Sequence, residues 1–288
     1  MTFDPNCGHF QGADGKARGF APSQGASSGG YSPGTLLNDI QFHFKFDSIS
    51  GFLTDSITST VLTATNSPTA EVGVIGQSIG MNDTDESRAS STDAAILTAA
   101  SETSTPLDSG TNIPKPFTCM LWVYPQLRTG HASTGFILME KRSGGDNWSM
   151  SAYNVNYPVC NFNFAVMGSG GVWQTASTTT GYAMDDWYCV VLQYYGVNMD
   201  ENNSFQPYEN TKRISVVTGA AEAGSISETV FQTCCGESLL QGTEFLVGYP
   251  PSYDFEGRID LLTRWNRILT NDEILQFYNR SKAGLAPI

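Results

Sequence analysis

From Leu36 onward, short apolar runs alternate with turn-forming residues, a pattern typical of a chain built from β-strands. The run 42–47 places Phe42, Phe44 and Phe46 at every second position, which predicts a strand with one buried face. The run 117–125 is almost continuously apolar and predicts an inner strand. Further strands are predicted at 136–141, 147–153, 160–166, 187–195, 213–217, 244–248 and 258–266. The Ser/Thr/Asp-rich stretch 82–112 has weak periodicity and is interpreted as a loop with one short strand or helical turn.

Large rings and cysteines lie inside the predicted strands. Trp122 and Trp187 are expected to fill the space between two sheets, where large aromatic side chains pack well. Cys119, Cys160 and Cys189 are expected to be free thiols that act as small hydrophobic residues.

One helix is predicted near the end of the chain. Thr270 precedes an amphipathic run, and Glu273 stands at the third helical position, which is the capping-box arrangement. Ile274, Phe277 and Tyr278 then share one face at helical spacing.

The first 34 residues differ in composition from the rest. They are rich in Gly and Ser and poor in large aliphatic residues, so they cannot bury enough apolar surface to order on their own. We therefore divide the chain into an extended N-terminal arm (1–34) and one large domain (35–288). The arm is either a flexible tail or an element that contacts a neighbouring subunit.

Charge and hydropathy exclude some classes of partner. With 28 acidic and 15 basic residues, the net charge is −13, which disfavours binding to nucleic acid. No apolar stretch approaches the 18 residues or so of a membrane span. Residues 1–20 show no signal-peptide pattern, so we expect synthesis in, and retention by, a cytoplasm-like compartment until release.

The segment 255–279 carries the most specific family resemblance. Its Phe-x-Gly-x-Ile-Asp strand, Trp-Asn-Arg-x-Leu turn and Glu-Ile helix resemble the C-terminal signature of laminin-G-like proteins in the concanavalin A-like superfamily. Phe117-Thr118 with Trp122-Val123, the Trp187 strand and the segment 44–47 are similar to other parts of that family. The resemblance implies an all-β fold: a two-sheet antiparallel jelly-roll sandwich with one short C-terminal helix, preceded by the arm.

The resemblance also implies one structural calcium ion between the first and last strands. Asp260 matches the family position and Asp47 is the candidate beside it, although calcium takes six to eight oxygens and only these two side chains suggest themselves. The alternative for Asp260 is a carboxylate bonded to backbone amides.

The motifs of enzymes are missing from the sequence. It has no paired carboxylates at glycosidase spacing on one strand, no nucleophile motif, no phosphate loop and no histidine pair for zinc, so we expect a protein that is not an enzyme. Aromatic residues near turns are candidates for sugar stacking, with loop anchoring as the alternative. Trp173, Tyr249 and Tyr253 are the predicted ligand-binding residues, with Tyr157 and Tyr182 of the same type.

Two functions follow as hypotheses. The first is a structural virion component of a tailed phage, made in the host cytoplasm, in which the arm contacts neighbouring virion proteins and the chain forms a homo-oligomer. Laminin-G-like modules of such particles imply this function by resemblance. The alternative is a carbohydrate-binding, lectin-like module or adhesin that recognises surface glycans. A glycosidase or lyase would require a carboxylate-dependent activity on polysaccharide.

Overall fold

The structure is a computed structural model, and it describes residues 36–47, 53–65, 68–81, 88–91, 103–106, 112–114, 117–126, 135–142, 146–156, 159–167, 173–194, 198–199, 205–206, 212–218, 225–232, 244–247 and 255–288. The predicted N-terminal arm lies outside these residues. No helix in the described ranges is long and apolar enough to cross a membrane.

Twenty strands and one helix make up the described part of the chain. The strands are β1 (Ile40–Phe44), β2 (Thr63–Thr65), β3 (Thr69–Val72), β4 (Gln77–Met81), β5 (Arg88–Ser91), β6 (Thr103–Pro106), β7 (Asn112–Pro114), β8 (Phe117–Pro125), β9 (Gly135–Arg142), β10 (Asp146–Asn156), β11 (Val159–Met167), β12 (Trp173–Ser177), β13 (Tyr182–Ala183), β14 (Tyr188–Tyr194), β15 (Asn198–Met199), β16 (Phe205–Gln206), β17 (Lys212–Thr218), β18 (Ser225–Gln232), β19 (Glu244–Val247) and β20 (Gly257–Trp265). The helix α1 spans Asn271–Lys282.

Two eight-stranded sheets contain most of these strands. The front sheet has the order β18-β17-β14-β8-β20-β4-β3, and β1 also pairs with β20. The back sheet has the order β12-β11-β10-β9-β19-β5-β2, and β13 also pairs with β11. The pairs β6/β7 and β15/β16 stand apart as two-stranded sheets, and the pairings throughout are antiparallel.

The two sheets pack face to face through one hydrophobic core. Phe117 of β8 meets Phe164 of β11 edge to face, with ring centroids 6.0 Å apart. Cys119 Sγ lies 4.0 Å from Met139 Sδ on the opposite sheet. Both rings and both sulfur-containing side chains are fully buried. The predicted class, an all-β antiparallel sandwich with one short C-terminal helix, is therefore confirmed.

A second hydrophobic cluster lies on the outer face of the front sheet, beneath α1. We call it the outer cluster, and its buried members are Leu36, Met120, Trp122, Cys189, Val191, Val217, Leu261, Trp265, Leu269, Ile274, Phe277 and Tyr278. Three of these residues lie on α1, so the predicted apolar face of the helix is confirmed.

The two tryptophans predicted between the sheets lie elsewhere. Side chains alternate along a strand, so the even-numbered positions of β8 face outward, away from the inter-sheet core. Trp122 stacks on Tyr278 of α1 with centroids 5.2 Å apart and donates its indole N–H to Ser281 Oγ at 2.9 Å. Trp187 packs at the margin of the outer cluster and is partly exposed. The prediction that both rings fill the inter-sheet space is wrong.

Cys119, Cys160 and Cys189 are free and buried, as predicted. Within 82–112, where one short strand or helical turn was expected, both β5 and β6 form. β5 pairs with β2 and β19 through backbone hydrogen bonds, which need no apolar periodicity in the sequence.

The helix begins with the predicted capping box. Thr270 Oγ1 accepts the Glu273 amide at 3.3 Å, and Glu273 Oε2 accepts the Thr270 amide at 2.9 Å. Arg267 adds two hydrogen bonds to the same carboxylate, at 2.9 and 2.7 Å. Although burial alone would raise the pKa of Glu273, these hydrogen bonds bring it below its usual value.

We expect Thr270→Ala to lower the free energy of unfolding by about 1 kcal/mol, because it removes the side-chain acceptor of the first helical turn. Urea denaturation of the variant measures this loss. Thr270→Ser, which keeps the hydroxyl, is the matched control and is expected to retain most of the stability. Equal losses in both variants would contradict a capping role.

Candidate functional site

An aromatic pair lies on the part of the outer face beyond the outer cluster. Tyr124 stands near the end of β8, and Arg258 faces it in register at the start of β20. Trp187 immediately precedes β14, whose first residue, Tyr188, pairs with Val123. Three neighbouring strands therefore bring these side chains together at one end of the front sheet.

Close packing defines the geometry of the pair. The rings of Tyr124 and Trp187 have centroids 5.4 Å apart and planes inclined by 56°. The Arg258 guanidinium carbon lies 4.8 Å from the centroid of the Tyr124 ring, a cation–π distance. Arg258 Nη1 also donates to the Val72 carbonyl at 3.4 Å. All three side chains are partly exposed, so ring surface remains open to solvent.

Close backbone approach fixes the position of Tyr124 relative to β20. Gly257 has φ +145°, and a Cβ atom there would collide with the Tyr124 carbonyl oxygen. Only a residue without a side chain lets the two strands meet at this point.

A tight turn places two carboxylates beside the rings. Asp185 adopts φ 62°, a left-handed conformation that Asp tolerates better than most residues, and its amide donates to the Pro125 carbonyl at 2.8 Å. Asp186 Oδ1 accepts the Trp187 amide at 2.8 Å. Both aspartates are exposed. We call Tyr124, Trp187, Arg258, Asp185 and Asp186 together the aromatic patch.

The polar ends of the aromatic patch are open to a ligand. Neither the Tyr124 hydroxyl nor the Trp187 indole N–H has a hydrogen-bond partner among the described residues. Arg258 Nε also has no partner within the described ranges, but it is buried and therefore not open to a ligand. By contrast, the buried indoles of Trp122 and Trp265 donate to Ser281 and to the Leu36 carbonyl. The patch thus combines apolar ring faces with unused donors and acceptors.

The Tyr124 hydroxyl is protonated at neutral pH. Burial raises its pKa above the usual value of 10.0, and the Asp185 carboxylate raises it further. Arg258 acts in the opposite direction on the same pKa, and Asp186 again raises it. The hydroxyl is therefore a hydrogen-bond donor as well as an acceptor.

Of the five aromatic residues predicted from the sequence, the structure describes the side chain of Tyr182 alone. Trp173 begins β12, and its side chain lies outside the described part of the structure. Tyr249, Tyr253 and Tyr157 lie outside the described residues altogether. Tyr182 is buried against Phe162 and Tyr188, which is the loop-anchor alternative.

Sequence reasoning missed Tyr124 and Trp187 as candidates because both lie within or beside apolar runs. Two signals could have found them. Tyr124 has the strand parity opposite to that of the inward residues Cys119, Leu121 and Val123. The Asp-Asp dipeptide before Trp187 marks an exposed turn.

The two aspartates predicted to bind calcium flank one loop, residues 73–76. Asp260 is fully buried, and its Oδ2 accepts the amides of Val74 at 2.8 Å and Ile75 at 3.2 Å. Its Oδ1 accepts the Leu261 amide at 2.7 Å. Asp47 is exposed and accepts the Gln77 amide at 3.1 Å.

The fit of these residues to calcium is incomplete. Burial raises the pKa of Asp260 to about 8, and Asp47 adds to that rise, whereas the three amides act in the opposite direction. No group of three or more His, Cys, Asp or Glu side chains is placed to hold a metal within the described ranges. Backbone carbonyls and water would have to supply most of the six to eight oxygens. The amide-bound alternative describes Asp260 as the structure shows it, and calcium stays a prediction.

No family model matches the sequence, and no curated protein matches it. Several solved structures share the fold. The binding domain of botulinum neurotoxin DC, in complex with rat synaptotagmin II, aligns with a TM-score of 0.55 and 10% identity over 86% of this chain and 52% of that one. A botulinum neurotoxin type C structure comes from work linking cell entry to interaction with two ganglioside molecules. It aligns with a TM-score of 0.55 and 10% identity over 87% of this chain and 53% of that one.

A shorter structure matches over nearly its whole length. Domain 4 of a GH43 extracellular arabinanase from Geobacillus stearothermophilus, in complex with arabinotriose, aligns with a TM-score of 0.50 and 17% identity over 82% of this chain and 97% of that one. The chain spans about half the length of the botulinum structures. At these identities the likeness shows the fold alone, a β-sandwich. One of the neighbours belongs to a glycoside hydrolase.

Proposed function

We propose that the protein is a carbohydrate-binding module and that the aromatic patch is its sugar-contact surface. The observation that carries the proposal is a partly exposed Tyr124–Trp187 pair whose hydroxyl and indole N–H have no partner among the described residues. Sugars present apolar C–H faces edged with hydroxyl groups. Ring faces bordered by unused hydrogen-bonding groups complement that chemistry.

The composition of the patch favours a sugar over a protein partner. A protein interface of standard size buries about 800 Å² on each side around an apolar centre. The aromatic patch is instead a small group of two rings, two carboxylates and one guanidinium. Arabinotriose, a neutral sugar, appears with one of the structural neighbours, which supports a sugar ligand, while gangliosides and synaptotagmin appear with two others.

The phage-virion role predicted from the sequence concerns where such a module would stand, and it is compatible with sugar binding. It remains a proposal that rests on the family resemblance and on the composition of residues 1–34, which lie outside the described residues. Assembly through the arm and homo-oligomer formation likewise remain proposals.

Binding to a glycan array by wild type and three variants tests the proposed function. We expect Trp187→Ala to weaken binding of any recognised glycan by tenfold or more and Tyr124→Phe to weaken it by about three- to tenfold, as for a lost ring contact and a lost hydrogen bond. Tyr188→Phe is the matched control, because its hydroxyl bonds the Ala183 carbonyl and its ring packs against Phe162 on the other side of the sheet.

The control is expected to bind as wild type does. Circular dichroism and thermal melting show whether each variant is folded, and Tyr124→Phe keeps its ring and thus the packing. Absence of binding to every glycan by folded wild-type protein, or equal binding by the wild type and all three variants, would contradict the proposal.

A further inference from the structure

The charges of the aromatic patch are unbalanced. Two carboxylates, those of Asp185 and Asp186, stand against one guanidinium, that of Arg258. The guanidinium already lies over the Tyr124 ring and donates one hydrogen bond to a backbone carbonyl. A ligand that reaches the open side of the rings therefore meets carboxylates with free lone pairs. The only cation it meets in the patch is the Arg258 guanidinium, which already interacts with the Tyr124 ring and a backbone carbonyl.

Resting on the proposed function, we infer that the aromatic patch selects neutral sugars and excludes glycans that end in a sialic or uronic acid, with Asp185 as the residue that sets this preference. Asp185 is suited to the role because its exposed side chain has no hydrogen-bond partner among the described residues, whereas Asp186 holds the Trp187 amide. The hydrogen bond from the Asp185 amide to the Pro125 carbonyl and the left-handed turn keep Asp185 against the end of β8, beside Tyr124.

The effects of neighbouring charges on the pKa of Tyr124 agree with an excess of negative charge in the aromatic patch. Asp185 raises the pKa of the Tyr124 hydroxyl more strongly than Arg258 lowers it, and Asp186 adds to the rise. Charged neighbours thus make the potential at the hydroxyl negative. The net charge of −13 on the whole chain has the same sign at longer range. A carboxylate on the ligand would be repelled, while a sugar hydroxyl could donate to Asp185.

The test compares matched glycans on one array: neutral oligosaccharides beside the same structures with a terminal sialic acid or with uronic acid in place of the neutral sugar. For each bound pair, we expect the neutral member to bind about tenfold more tightly at low salt, as for one like-charge contact at a partly exposed site. The ratio is expected to shrink at high salt because exposed charges are screened.

Asp185→Asn is expected to bring the ratio within about threefold, since Asn keeps the side-chain shape and accepts the left-handed turn. Asp39→Asn is the matched control. It removes the same charge at an exposed position near the opposite end of β20, where Asp39 lies 3.9 Å from Arg267. This control is expected to leave the ratio as it is in the wild type.

The possible outcomes separate the two proposals. If folded protein binds no glycan of either kind, the proposed function fails. If neutral and acidic partners bind equally, or the acidic partners bind better, the protein is a glycan binder and the charge selection is wrong. If Asp39→Asn changes the ratio as much as Asp185→Asn does, net charge sets the preference rather than Asp185.

Discussion

Asp260→Ala is expected to lower the free energy of unfolding by about 3 kcal/mol, because it leaves one buried and two partly buried amides without their acceptor. The amides belong to Val74, Ile75 and Leu261, at 2.8, 3.2 and 2.7 Å from the carboxylate. Leu261 has φ 51° at the point where β20 changes partner from β4 to β1, so the carboxylate also stabilises an irregular piece of backbone. Gly73 approaches it so closely that a Cβ would stand 2.6 Å from Oδ2.

Asp47→Ala is the matched control for Asp260→Ala. Asp47 is exposed and accepts one amide, that of Gln77, so its loss is expected to cost less than about 1 kcal/mol. Urea denaturation measures both variants, and hydrogen exchange at Val74 and Ile75 reports whether the loop is released. Equal costs for the two variants would contradict a dominant role for the amide-bound carboxylate. A calcium-dependent rise in Tm that both variants abolish would support the predicted calcium ion.

The stability of the protein is expected to depend on His43 as the pH falls. His43 Nδ1 lies 2.6 Å from Thr263 Oγ1, which itself donates to the Leu261 carbonyl at 2.9 Å. The threonine therefore accepts the Nδ1 proton, and Nε2 is a buried acceptor without a partner among the described residues. Burial, together with a smaller effect of the nearby Lys45, lowers the pKa of His43 from 6.5 to about 3.

The sign of the effect follows from proton binding. Between pH 6.5 and 3 the unfolded chain binds a proton at His43 that the folded chain does not, so the histidine's contribution to stability falls as the pH falls. The full loss is on the order of 5 kcal/mol, and it begins near pH 6.5. The folded pKa of Asp260 is raised, so between pH 8 and 3.8 its contribution to stability grows as the pH falls, opposite to that of His43. The pH dependence of wild-type stability alone therefore does not isolate His43.

Urea denaturation of wild type and His43→Asn from pH 7.5 to 4 isolates the histidine. Asn keeps an N–H near the Nδ1 position but does not titrate, and the Asp260 contribution cancels in the difference between the two proteins. We expect the variant to be less stable at pH 7 and its disadvantage to shrink by about 1.4 kcal/mol for each pH unit below 6.5. A difference that stays constant over the whole range would contradict a buried neutral histidine.

The elements that could be predicted are those that short-range patterns determine. The Phe42, Phe44 and Phe46 alternation predicts a strand with one face in the core, and these three rings are buried as expected. The capping box of Thr270 and Glu273 involves residues three apart, so local sequence determines it. Both features were correctly predicted because they require no knowledge of the tertiary partner.

The features that could not be predicted depend on contacts between distant segments. His43 occupies the polar phase of its strand, yet it is fully buried, because both faces of the front sheet are covered in this region. The exposure of Trp187 depends on which strand pairs with β14 and on how much of the sheet α1 covers. Bringing Tyr124 and Arg258 together requires the register of β8 against β20, and placing Asp185 beside them requires its hydrogen bond to the Pro125 carbonyl; no sequence period reveals either.

The most direct measurement of sugar binding at the aromatic patch is a nitrogen–proton NMR titration that follows the five tryptophan indole resonances, assigned by single Trp→Phe variants. Glycans recognised on the array serve as the titrant. We expect the Trp187 indole resonance to shift with ligand concentration. The Trp122 and Trp265 resonances, whose N–H groups bond Ser281 and the Leu36 carbonyl, are expected to stay in place. A shift confined to the Trp173 resonance, or saturation of binding without movement of the Trp187 resonance, would contradict sugar binding at the aromatic patch.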